Sequence, residues 1–442
     1  MPSLSRLLST CVALSATLLV AGCASYRPLP LPTTPTPTVE AAAPFPDGPL
    51  TSEQITALVL RDDADLIAAR RQKGVAEAQL LQAGLLPDPS FGGAILPLTA
   101  GPGTTFAWNA NIQEDLRALV TLKARKQGAR AASLQVDAQL LWQEWQAVGQ
   151  ARLLYAQIVS GERGMRLLVE TRRVFADRTA RLDRALAQGN ATLTTSAPDL
   201  AALQAARAQV DALERQQLVR RHQLNALLNR EADAPLRLAD APAAPDVDLA
   251  AVDASAVEIA RRRPDIIALR LGYRAQEART RLSILMQFPA FNFGVGGGSD
   301  NSNVRSVGPQ FSTTLPVFDR NQGDVAAQHA TREQLHAEYQ ARLDAAYSQA
   351  RAAVAELRQA ERQLAVVRAD LPGTRRAAAQ AASAFQAGAL DELGYVDLIS
   401  AHLTKQQEIV ALEQTVLEQQ VALATLTGAG LPAIDALPDT AA

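Results

Sequence analysis

The sequence predicts a mainly helical chain with a small β part, made by duplicating one unit of helix, β-hairpin, very long helix and return helix. Three observations carry this prediction. A repeat recurs at a spacing of 200 residues, two helical patterns run for 72 and 65 residues, and a pair of strand-length segments bounded by proline precedes each of them. A repeat of this length means that the fold is two copies of one structural unit.

The repeat is read residue by residue. Asp65-Leu66-Ile67-Ala68-Ala69-Arg70 returns as Asp265-Ile266-Ile267-Ala268-Leu269-Arg270, and Pro89-Ser90-Phe91 as Pro289-Ala290-Phe291. Between 65–91 and 265–291, 9 of 27 positions are identical. Further on, Gly189 faces Gly388, and Leu224-Asn225-Ala226-Leu227 faces Leu423-Ala424-Thr425-Leu426.

In the first unit, a helix is expected from about Ser52 to Leu86, where Pro87 and Pro89 forbid its continuation. Strands follow at Ser90–Leu98 and Thr104–Gln113, separated by a Gly101-Pro102-Gly103 turn. Helical pattern then runs from Leu116 to Ala187 and returns from Thr192 to Leu228. The second unit matches it, with a helix at Ser255–Met286, strands at Ala290–Gly298 and Gly308–Leu315, and a long helix at Gln322–Gln386 that Pro372 is expected to bend or interrupt. A return helix at Leu390–Thr427 completes it. Gly294-Val295-Gly296-Gly297-Gly298 reads as a strand packed tightly on its neighbours rather than a phosphate loop, since no helix opens after it.

Helices of 65 to 72 residues extend roughly 100 Å at a rise of about 1.5 Å, and such rods need coiled-coil support. Heptad spacing supplies it: Ile409, Val416 and Leu423 lie seven apart, interleaved with Leu412, Gln419 and Leu426, and Val354, Leu357, Leu364 and Leu371 continue the pattern. The return helix and the next unit's first helix together match the length of one long helix. Each long rod is therefore expected beside two shorter helices stacked head to tail, the second rod beside 390–427 and 52–86. The domain boundaries that follow are a signal peptide at 1–22, a tether at 23–50, a first repeat at 51–229 with its hairpin at 90–113, an equatorial linker at 230–254, a second repeat at 255–430 with its hairpin at 290–315, and a tail at 431–442.

Composition narrows the function. Aromatic residues are only 4% of the chain, which suits helices packed through small residues better than a thick globular core. The two cysteines, Cys11 and Cys23, fall in or at the end of the leader, so the mature chain has no thiol pair for a disulfide or a zinc site. His222, His329, His336 and His402 have no ligand spacing, and no cofactor is expected. A net charge of −2 argues against nucleic acid as a partner. No Ser-His-Asp grouping or phosphate-binding loop emerges, so an enzyme is not expected; Trp142 and Trp145 read as packing anchors on a helix.

The N-terminus, with Arg6 before a short apolar stretch ending in Val20-Ala21-Gly22-Cys23, has the form of a secretory signal. Its end resembles the bacterial lipobox, which implies a lipid (palmitate among its acyl chains) on Cys23; the alternative is an ordinary signal with an incidental cysteine. Ala24, where inner-membrane lipoproteins carry Asp, points to the outer membrane. Four short strands cannot close a barrel alone, and a bilayer tolerates no unpaired strand edge, so strand pairs from several copies must join if the sheet is inserted.

The duplicated unit, the proline breaks before each hairpin, Leu315-Pro316-Val317-Phe318-Asp319 after the second, and Ala206-Arg207-Ala208-Gln209-Val210-Asp211 on a return helix resemble the TolC-like outer-membrane efflux family. The resemblance spans about residues 50–430. It implies a homotrimer whose α-helical barrel is topped by a 12-stranded transmembrane β-barrel, with four strands per chain. It also implies a passive exit duct, lipid-anchored in the outer membrane with a long periplasmic extension, working with a periplasmic adaptor (membrane fusion) protein and an inner-membrane transporter in a tripartite system. Cargo would be drugs, metal ions or other small molecules; Leu85-Leu86-Pro87-Asp88-Pro89 resembles the wording before the first hairpin in heavy-metal-efflux members. A type I secretion duct and a periplasmic coiled-coil scaffold that never inserts are the alternatives.

The resemblance also assigns residues. It makes Gln188, Gly189, Asn190 and Ala191, with Ala387, Gly388, Ala389 and Leu390, the adaptor-contact turns. Glycine there also serves simply to end a helix. Asp397 matches one of the family's aperture acids by its spacing from Gly388; the other falls on Gly394, a departure, and Asp391 and Glu392 stand one turn nearer the tip. Asp199 is the counterpart in the first unit. Acids in these positions would attract cations to a narrow mouth, or merely cap helix N-termini.

Overall fold

The computed structural model describes residues 26–31, 33, 48–240, 256–435 and 437. The leader, Cys23, most of the tether, the linker beyond Asp240 and most of the tail lie outside the described residues.

Each unit opens with two helices where one was expected. In the first, α1 (Ser52–Asp62) and α2 (Ala64–Gly84) meet at Asp63, whose side chain accepts the Leu66 amide. In the second, α5 (Ala256–Arg262) and α6 (Pro264–Leu285) meet at Arg263. The two breaks fall 200 residues apart. Pro264 occupies the first turn of α6, where its missing N–H costs nothing, while Asp63 caps the equivalent turn. A capping box between Thr51 and Gln54 starts α1.

The hairpins follow: β1 (Ser90–Leu96) with β2 (Ala107–Asp115), and β3 (Phe291–Ser299) with β4 (Arg305–Thr313). They form one antiparallel sheet in the order β1-β2-β3-β4. Relative to expectation, β2 starts three residues later and β4 three residues earlier. The first tip is longer because Thr104 and Thr105 turn aside to donate their amides to the Asn301 carbonyl, docking one hairpin tip on the other.

From the sheet run the long helices α3 (Leu116–Ala187) and α7 (Gln322–Gln386), each followed by its return helix, α4 (Leu193–Leu227) and α8 (Glu392–Thr427). The side chain of Asp115, last residue of β2, accepts the Arg117 amide and so starts α3 directly from the strand. Buried positions on α7 repeat at alternating intervals of four and three: Ala346, Ala350, Ala353, Leu357, Ala360, Leu364, Val367. Leu364 and Val367 meet Ile409 of α8 with Leu371, Leu412 and Val416, as the heptad reading expects. Pro372 does not interrupt α7. It sits on the exposed side, between the half-buried seam residues Leu371 and Thr374, where solvent takes the place of its missing donor.

α3 packs along α4 below and α6 above, as the length matching predicts. The companion expectation for α7 is corrected. Within one chain α7 lies on α8 and α6, whereas α1 and α2 pack on α3. The middle of α3 is therefore enclosed on several sides. Leu154, Tyr155, Ile158 and Val159 are buried there against Leu50, Ile55, Val59, Leu224 and Leu228. The start of the linker joins this core: Leu50 pairs with Leu238, and the Tyr155 hydroxyl donates to the Ala239 carbonyl at 2.7 Å. Trp145 is a packing anchor that donates its indole N–H to the Thr425 carbonyl, and Trp142 lies beneath the Arg263 guanidinium.

Candidate functional site

Two regions at opposite ends of the rods carry chemistry, the sheet and the helix turns.

The sheet has one apolar and one polar face. Its registers place Phe91, Ile112, Val295 and Pro309 in one row, and Ile95, Trp108, Ser299 and Arg305 in another. Phe293 and Phe311 form a cross-strand pair on that same side, where Val307 is 82% and Phe91 78% exposed. The other side carries Asn109, Asn111 and Gln113 on β2, Asn292 with Gly294, Gly296 and Gly298 on β3, and Ser306, Gln310 and Ser312 on β4. Ser312 links Asn292 to Gln113 there, at 3.3 and 3.4 Å. The glycine row is a steric need: a Cβ at Gly294 would collide with the Ile112 carbonyl, and one at Gly298 with that of Trp108. This bears out the reading of 294–298 as a tightly packed strand. Large apolar residues dominate one face, with Ser299, Arg305 and Glu114 at its ends, and amides, serine and glycine dominate the other, which makes the sheet amphipathic.

Nine-residue strands span about 30 Å, or roughly 22 Å along the membrane normal at usual barrel tilts. That matches an apolar band about 25 Å tall. No described helix is long and apolar enough to cross a membrane.

At the far end both turns have the same geometry. Gly189 (φ 74°) and Gly388 (φ 71°) take the left-handed conformation. The amide of Asn190 donates to the Ala185 carbonyl and that of Gly189 to Leu186; likewise Ala389 donates to Ala384 and Gly388 to Phe385. These are two Schellman closures. No side chain would touch a Cβ at either glycine, so the backbone angle, not space, calls for glycine.

The four acids near the turns are in different situations. Asp397 is exposed. Asp391 caps α8, its carboxylate accepting the Gly394 amide at 2.9 Å. Glu392 accepts from Arg181 of α3 at 2.5 Å. Asp199 is 8% exposed and holds Arg178 bidentately, with Oδ1 at 2.5 Å from Nε and Oδ2 at 3.0 Å from Nη2. That hydrogen bond outweighs burial and holds the Arg178 guanidinium above its ordinary pKa. In the chain by itself, Asp199 is thus an internal tie between α3 and α4 rather than an open carboxylate. Arg178 and Arg181 were not singled out in the sequence; their three-residue spacing on α3 was the available signal. Phe385 stacks on Tyr395 at 4.7 Å, joining α7 to α8 beside the second turn. Among the described residues, no group of His, Cys, Asp and Glu could hold a metal ion.

The chain is thus a duplicated helical rod that bears an amphipathic four-stranded sheet at one end. Residues 255–429 match the family model for outer membrane efflux protein. Among solved structures, the chain is similar to a membrane protein from Pseudomonas aeruginosa at 19% identity and a TM-score of 0.70, over 85% of this chain and 92% of that one. It is similar to the CmeC outer membrane channel of Campylobacter jejuni at 15% identity and a TM-score of 0.69, over 95% and 97% of the two chains. It is also similar to the outer membrane protein VceC of Vibrio cholerae at 15% identity and a TM-score of 0.68, over 85% and 96%. At these identities the likeness is one of fold. No curated protein sequence matches the chain. The sequence match to the outer membrane efflux protein family thus lies in the second unit, while the likeness of fold to outer-membrane channels extends along nearly the whole described length.

Proposed function

We propose that three copies of this chain form a passive exit duct across the outer membrane, fed with small molecules by an inner-membrane pump through a periplasmic adaptor. The observation that carries the reading is the sheet. It exposes one apolar face, and it ends in unpaired edges at β1 and β4. The helical layer has matching free borders: Val75 and Leu81 on α2 are 59% and 70% exposed, and Val366 on α7 is 64% exposed. Opposite borders that complement each other make a head-to-tail contact, which closes into a ring if the rotation allows. β1 of one copy would then pair with β4 of the next, and α2 of one copy would lie beside α7 of the next. Three copies supply twelve strands.

In this assembly the turns 188–191 and 387–390 face the adaptor. Asp397 and Asp391 contribute the open carboxylates of the mouth, Glu392 joins them when released from Arg181, and Asp199 remains an internal tie. Lipid on Cys23 anchors the duct to the outer membrane. The test is the detergent-corrected mass of membrane-extracted protein, followed by planar-bilayer conductance. Three copies per particle and stable single-channel steps are expected. A monomer that leaves the membrane without detergent would exclude the duct and favour a periplasmic scaffold.

A further inference from the structure

We infer that the tops of α3 and α6 form a basic collar that binds the phosphate headgroups of anionic phospholipid in the periplasmic leaflet of the outer membrane. The inference rests on the sheet being inserted as proposed above.

Residues 116–136 contain five basic residues and no acidic one. Their placement is ordered. Leu119, Lys123, Lys126 and Arg130 recur at intervals of four, three and four, so they share one stripe of α3. The opposite stripe, Ala118, Thr121, Ala124 and Gly128, is buried in helix packing. Leu119 and its neighbour Val120 are 50% and 62% exposed in the first turn below the sheet. Lys123 and Lys126 follow, both exposed. α6 mirrors this arrangement at its own upper end. Phe288 and Ile284 are 64% and 41% exposed, and Arg281 and Arg274 lie on the stripe of Ile284.

Reading downward along these exposed stripes, below the Arg117–Asp115 pair at the start of α3, apolar side chains come first and cations next. That is the order of a bilayer interface, and it begins just below the junction of strand and helix. Lys123 lies about 11 Å along α3 from its start, and a headgroup layer is about 5–8 Å thick. The flexible lysine stems reach the rest of that distance. Of the nearby acids, Glu277 is held by Arg332 at 3.6 Å and Asp115 caps α3, while Asp319 accepts the Asn321 amide, Asp324 accepts from Gln328, and Asp88 is exposed before β1. Glu114, at the base of β2, is the one carboxylate on the lipid side of the sheet. Among the described residues, Lys123, Lys126 and Arg281 form no ion pair. Each such group near an anionic surface is worth roughly a fivefold preference, weakened by salt.

The test reconstitutes the membrane-derived full chain in neutral phosphatidylcholine vesicles containing about a quarter phosphatidylglycerol, then measures the lipids retained per particle by native mass spectrometry. Expected is a phosphatidylglycerol share at least about threefold above the vesicle average. It should fall to that average in Lys123→Gln/Lys126→Gln/Arg281→Gln, while single-channel conductance is unchanged. Raising the salt to molar levels should erase the wild-type enrichment, a readout independent of the variant's folding. Wild type that conducts yet retains lipid at the vesicle average overturns the collar and leaves the duct standing. Wild type that does not insert into these vesicles at all overturns both.

Discussion

At the level of single residues, the backbone and buried charge set the strongest constraints. Gly388→Ala asks an L side chain to hold a φ of 71° and should cost about 1 kcal/mol, seen as a lower Tm in detergent. Gly294→Val is a different matter, because its Cβ has no room against the neighbouring strand; loss of the folded, heat-resistant oligomer on gels is expected. Arg178 and Asp199 are buried together, so Asp199→Asn leaves a charge without its counterion and should destabilise by about 3–5 kcal/mol. Arg178→Met/Asp199→Leu should recover much of this loss, which unfolding in denaturant would measure. His402, half-buried between α7 and α8 with Thr374 on its Nδ1, is pushed below its ordinary pKa of 6.5 by burial and then by Arg375. The folded chain therefore binds fewer protons there than the unfolded chain. Stability falls as pH drops below about 6.5, and His402→Gln should flatten that slope.

Among the elements, the coiled-coil seam and the sheet obey different rules. α7 runs through Pro372 because its alternating four-and-three spacing keeps the proline outside the seam. Pro372→Ala should raise stability, by at most about 3 kcal/mol, as thermal unfolding would show. Leu423, fully buried where α8 meets α7, is the opposite case: truncation to Ala should cost about 2–5 kcal/mol. The breaks at Asp63 and Arg263 show how one structural need is met twice by different chemistry, an Asp cap in one unit and a proline start in the other. The sheet draws its information from alternation, and its glycines crowd neighbouring backbone most at Gly294 and Gly298.

For the whole molecule, the decisive feature is incompleteness. A sheet with two open edges and a helical layer with two open borders calls for further copies, and the proposed ring supplies them without a new surface. Substitutions at Val366 or Leu81 to charged residues should therefore disrupt assembly while the isolated chain stays helical, a contrast that light scattering and circular dichroism would separate.

The repeat, the rod lengths, the helix-ending glycines and the heptad seam were all legible in the sequence, because each depends on local spacing or on proline and glycine. The doubling of each first helix was not read: Asp63 sits within otherwise continuous helical pattern, and Pro264 after Arg263 was the available signal in the second unit. The strand bounds moved because the two hairpin tips bind each other through Asn301, a contact between residues nearly two hundred positions apart. Only the tertiary structure could show that Asp199 is tied to Arg178 and Glu392 to Arg181. Ion pairs join side chains from different helices, and the packing of those helices, not their order in the chain, decides which charges meet.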